Sequence, residues 1–117
     1  MIRLLIVDDH RLFRFGLRKM LQDAKGIQII GEAGDGEAAL RLTRELRPNV
    51  ILMDLLMPGI RGHAATRRIA LLELQARVIA LTACEHRPSP VHALQAGAAG
   101  YLTKGVNAAE RITAIKR

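Results

Sequence analysis

The sequence predicts an open α/β sheet of five parallel strands with helices on both faces. Apolar runs of strand length are continuous rather than alternating, as in strands covered on both sides. Between them lie stretches whose apolar residues recur at helical spacing. The alternation repeats five times within 117 residues, a length that suits one domain with a single core.

The first run, Ile2 to Val7, leads to a helix marked by Phe13, Leu17, Met20 and Leu21 at offsets 0, 4, 7 and 8. The second, Ile27 to Ile30, precedes Ala39, Leu42 and Leu46, again on one helical face. That helix should stop at Arg47, because Pro48 disfavours helical backbone at the residue before it. The third run, Val50 to Met53, is followed by a helix through Ala65, Ile69 and Leu72. After the fourth, Val78 to Leu81, the segment Cys84 to His92 with Pro88 and Pro90 reads as a loop, and a fourth helix follows Pro90. The short run Gly100 to Thr103 leads to a fifth helix carrying Ala108, Ile112 and Ile115 and opening at Asn107, a good N-cap residue. Helices of this length return the chain to a parallel neighbour by right-handed crossovers.

Composition narrows the function. Eighteen Lys and Arg against 11 Asp and Glu leave a net charge of +7, which would suit an acidic partner such as nucleic acid. Trp is absent, however, and the only aromatics are Phe13, Phe15 and Tyr101, so base-stacking platforms are not expected. Cys84 is the only cysteine, which excludes an internal disulfide and a cysteine-based zinc cage and points to a reducing, cytoplasmic compartment. No apolar run approaches the roughly 18 residues of a membrane span.

In open α/β sheets ligands bind beyond the carboxyl ends of the strands. Run one ends in Asp8 and Asp9, run three in Asp54, run four in Thr82 and run five in Lys104. Three of the chain's five aspartates are thereby expected on one edge of the sheet. Clustered carboxylates raise one another's pKa unless a cation intervenes, and a hard divalent ion with oxygen ligands, Mg2+, is the simplest remedy. Lys104 can neutralise an anion beside that metal, and Thr82 can donate a hydrogen bond to it. These are parts for phosphoryl transfer, with Asp54 as acceptor through an acyl phosphate.

Asp8-Asp9, Asp54 within Leu-Met-Asp-Leu-Leu-Met-Pro-Gly, Thr82-Ala83 and Tyr101-Leu102-Thr103-Lys104 together resemble the receiver domain of two-component response regulators, over essentially the whole chain. The resemblance implies a flavodoxin/CheY-like (βα)5 fold with strand order 2-1-3-4-5. It implies Asp54 as phosphoacceptor, with Mg2+ held by Asp8, Asp9, Asp54 and the backbone carbonyl of Leu56. Thr82 and Lys104 would bind the phosphoryl oxygens, and Tyr101 would be the switch aromatic. The opening Val-Asp-Asp-His and the segment Gln95 to Gly105 are similar to the NarL/FixJ class, and within it to GacA/UvrY regulators. That likeness implies a GacS/BarA-type hybrid histidine kinase as partner, homodimerisation on phosphorylation, and transcriptional output through a C-terminal helix-turn-helix domain. Residues 1–117 hold only the receiver, so DNA contact is expected only through a domain outside this chain. The alternative is a stand-alone receiver acting by protein contact. An aspartate-nucleophile phosphohydrolase fits less well, since it needs its nucleophile after the first strand and a second acid two residues on, where this chain has His10. A signalling domain rather than an enzyme is expected.

Some residues depart from the pattern or invite other roles. Gly105 follows Lys104 where most receivers carry proline. Leu56 and Cys84 occupy sites that in the family influence how water reaches the acyl phosphate, and neither orients a water well. A long-lived phosphorylated form is therefore expected. Cys84 near carboxylates is expected to be inert. His10 reads as a surface residue at a helix start, one of the two adjacent aspartates as a helix cap, and Arg11, Arg14, Arg18 and Lys19 as a solvated basic face.

Overall fold

In the computed structural model the described residues are 1–54, 62–71, 76–82, 97–105 and 108–116. Five strands, β1 (Ile2–Val7), β2 (Ile27–Ala33), β3 (Val50–Asp54), β4 (Arg77–Thr82) and β5 (Gly100–Thr103), form one parallel sheet in the order β2-β1-β3-β4-β5. The described helices are α1 (Arg11–Leu21), α2 (Gly36–Leu46), α3 (Gly62–Leu71) and α4 (Ala108–Lys116). Helix α4 is the fifth helix of the sequence reading. The helix expected after Pro90, the loop before it and the cap at Asn107 lie outside the described residues.

Alternate residues of the central strands feed two separate cores, which explains why their sequences are continuously apolar. Leu5 and Val7 of β1 with Ile51 and Met53 of β3 pack against Ala39 and Leu40 of α2 and Ala65 and Ile69 of α3. Leu4, Ile6, Val50 and Leu52 point the other way and meet Leu17 and Leu21 of α1 and Ile115 of α4. All five residues of β3 are buried, whereas every residue of the edge strand β5 is only partly so.

Local signals set the helix ends. Asp35 caps α2 by accepting a hydrogen bond from the Ala38 amide at 2.8 Å, and Arg47 closes it in the left-handed conformation at φ 48°, one residue before Pro48. At α1 the N-cap residue is His10, exposed as expected, and its side chain makes no cap bond. Neither aspartate is the cap: Asp8 instead accepts the His10 amide at 2.8 Å. Strand β2 runs three residues beyond the apolar run, to Ala33, with a register shift that pairs Leu4 with Ile29 but Leu5 with Gly31. A Cβ at Gly31 would lie 3.1 Å from Leu46 and 3.3 Å from Leu5, so the close approach of α2 to the sheet there favours glycine.

Candidate functional site

The strand registers bring the predicted polar residues to one edge. Val7 pairs with Met53, so Asp8 and Asp54 follow side by side, and Thr82 pairs with Thr103, one residue before Lys104. Asp8 is tied back to the sheet by its amide, which donates to the Ala33 carbonyl at 3.0 Å. Asp8 and Asp54 are buried, and Asp9 is partly exposed beside them. The Lys104 ammonium lies 2.7 Å from Asp8 Oδ2 and 3.5 Å from Asp54 Oδ2, so it partly neutralises two carboxylates at once. Tyr101 is half-buried on β5 and packs against the α2/α3 core. The side chain of Thr82, and Leu56 and Cys84 entirely, lie outside what the structure describes.

The residues present fit a hard divalent cation. Asp8, Asp9, His10 and Asp54 offer ligand atoms that all lie within 4.8 Å of one another, and three of the four are carboxylates. Asp9 Oδ1 is buried without a hydrogen bond; His10 Nδ1 approaches it, and Asp8 Oδ1, to 3.2 Å. A carboxylate oxygen so placed is a natural ligand.

Two arginines hold the site from behind, and the sequence reading does not single out either for this role. Arg14 of α1 donates to the Asp8 carbonyl and, at 3.3 Å, to Glu32 of β2. Arg111 of α4 donates to the Lys104 carbonyl at 2.9 Å and to Met20 Sδ at 3.2 Å. The guanidinium of Arg111 lies 5.7 Å from the centre of the Phe13 ring, and the Lys104 ammonium lies 4.6 Å from that same ring. A basic solvated face on α1 is thus only partly present, because Arg14 and Arg18 are both engaged by Glu32.

An acid cluster facing a lysine at the carboxyl edge of a five-stranded sheet in the order 2-1-3-4-5 defines the class of phosphotransfer receivers, signalling domains rather than classical enzymes. The chain belongs to the response regulator receiver domain family, which it matches over residues 4–116. It is 51% identical to response regulator GacA of Pseudomonas viridiflava over 116 residues, covering 99% of this chain and 54% of that protein. With response regulator UvrY of Escherichia coli K12 the identity is 47% over 116 residues, covering 99% and 53%. Among solved structures it is similar to the NarL signal receiver domain of Mycobacterium tuberculosis, with a TM-score of 0.93, 36% identity, and coverage of 98% of this chain and 93% of that one. The chain spans about half the length of the two relatives. Among the described residues no helix is long and apolar enough to cross a membrane.

Proposed function

We propose that Asp54 accepts a phosphoryl group from a phosphohistidine of a sensor kinase, with Mg2+ held by Asp8, Asp9, Asp54 and the backbone carbonyl of Leu56. The observation that carries this reading is the buried Asp54 carboxylate, 3.5 Å from the Lys104 ammonium and beside a second buried carboxylate, Asp8. An Asp54 oxygen attacks phosphorus, the P–O bond forms as the P–N bond breaks, and the electron pair returns to the imidazole, which is protonated as it leaves. Mg2+ supplies charge neutralisation for the carboxylates and the incoming phosphoryl oxygens. Lys104 and Thr82 bind those oxygens, so positioning and charge do most of the work.

The product adds nearly two negative charges and three acceptor oxygens at Asp54. Thr82 moves toward them, Tyr101 turns into the space released, and the surface around β5 and α4 changes. The two states differ by the interactions the phosphoryl group makes in one and not the other. In the whole protein this surface controls a homodimer and, through a DNA-binding domain, transcription in the cytoplasm. The likeness to GacA and UvrY supports a GacS/BarA-like hybrid kinase as phosphodonor. Incubation with acetyl phosphate and Mg2+ followed by intact-mass measurement tests the reading. One phosphoryl group is gained by the wild type and none by Asp54→Asn. Equal gain by both would overturn it.

A further inference from the structure

Arg111 is buried, 1% exposed, on a helix face otherwise built from Ile115 and its apolar neighbours. Burying a guanidinium is expensive unless its donors are used, and desolvation here pushes its pKa below the ordinary arginine value. An apolar residue would fill this stripe without that cost. The directions of its bonds suggest what the arginine does instead. One nitrogen grips the main-chain carbonyl of Lys104, another reaches Met20 of α1, and the plane lies near the ring of Phe13, which also seats the Lys104 ammonium. Backbone and charged tip of the same lysine are therefore referred to one buried group and one ring. Strand β5, which ends immediately before Lys104, is the sheet edge and is nowhere fully buried, so it provides little of this restraint itself.

We infer that Arg111 is a positioning residue for phosphoryl transfer: through the Lys104 carbonyl and the Phe13 ring it holds the Lys104 ammonium at the Asp8–Asp54 carboxylate pair. The inference builds on the proposed roles of Asp54 and Lys104. Arg111 acts through Lys104 rather than on the carboxylates or the phosphoryl group. Its planar fork explains why lysine is a poor substitute, since a single ammonium does not bond the carbonyl and the sulfur at once while staying beside the ring.

The experiment compares wild type with Arg111→Met, Arg111→Lys and Phe13→Leu in two measurements. The first is the rate of phosphorylation by acetyl phosphate at saturating Mg2+, beside the Mg2+ affinity from calorimetry. The second is the NMR signal of the Lys104 side chain, which the Phe13 ring shifts from its free-lysine position. Arg111→Met is expected to slow phosphorylation about tenfold, less than the roughly hundredfold of a 1 Å misplacement, with Mg2+ bound at least as tightly as by the wild type. Its Lys104 signal should move toward that of free lysine. Arg111→Lys should recover little of the rate. Phe13→Leu, which keeps an apolar side chain and serves if Arg111→Met fails to fold, removes the ring that shifts the signal, so it is read by rate alone and should slow phosphorylation in the same direction. A folded Arg111→Met with wild-type rate and unmoved Lys104 signal, or a folded Phe13→Leu with wild-type rate, would overturn the inference, leaving these residues a purely structural role. If wild type gains no phosphoryl group, the reading of Asp54 fails, and the NMR arm still decides whether Arg111 positions Lys104.

Discussion

The two walls of the acidic pocket are built in different ways. Asp8 and Asp54 close the central strands β1 and β3, where the last four residues of one and all five of the other are buried between two cores. Lys104 follows the edge strand β5, whose four residues are all partly exposed, and is braced from α4 and α1 through Arg111 and Phe13. The acids inherit their position from the core, while the lysine is held by a few specific contacts. A switch needs one rigid reference and one adjustable part. On the proposed reading the β5 side would be the adjustable one, since local stability follows buried apolar contact and β5 is only partly buried.

Substitutions can break or sharpen this contrast. The largest effect is on the acid wall: Asp54→Asn should abolish phosphoryl gain, whereas Lys104→Arg should slow it and leave a measurable rate, because the charge remains and only its shape changes. Acetyl phosphate time courses on both variants separate the two outcomes. Stability should show the same asymmetry. Leu52→Ala in β3 is expected to cost about 2 to 5 kcal/mol in urea denaturation. Leu102→Ala in β5, starting from partial burial, should cost about 1 kcal/mol. Equal losses would mean that the edge strand is as firmly set as the centre. Removal of the α2 cap by Asp35→Ala, away from both walls, should cost about 1 kcal/mol and leave phosphorylation unchanged. The smallest effect concerns the acyl phosphate once formed. On the family resemblance Leu56 and Cys84 stand where water would be directed and neither would orient it, so the acyl phosphate should persist well beyond seconds in Mg2+ buffer, and Leu56→Asn should shorten its life.

Much of the fold could be read from the chain because of how the central strands are buried. A strand covered on both faces must be apolar at every position, so Leu4 to Val7 and Val50 to Met53 stand out without any partner being known. The end of β2 was less legible. Gly31, Glu32 and Ala33 lack the apolar signature, and their pairing depends on a register shift against β1. At the site, Asp8, Asp54 and Lys104 were legible because each follows an apolar run, and the sheet order alone brings them together. The arginines behind them were not. Arg111 and Met20 are 91 residues apart, and Arg14 meets Glu32 only through the packing of α1 on β2. One signal was available: Arg111 lies four residues before Ile115, on the inward stripe of its helix, where a charged residue calls for an explanation.

The ion pair between Lys104 and Asp8 has a consequence for the order of events. At 2.7 Å the ammonium is a counter-charge to Asp8 and eases the repulsion between the neighbouring carboxylates. On the proposed reading a divalent ion that claims Asp8 must take it from the lysine. The displaced lysine is then free to meet a phosphoryl group next to Asp54. Loading with metal and readiness for the phosphoryl group are thereby linked, and by reciprocity whatever draws the lysine away tightens the hold on the ion. On that reading the pocket would exchange partners, Asp8 passing from the lysine to the ion and the lysine to its next anion.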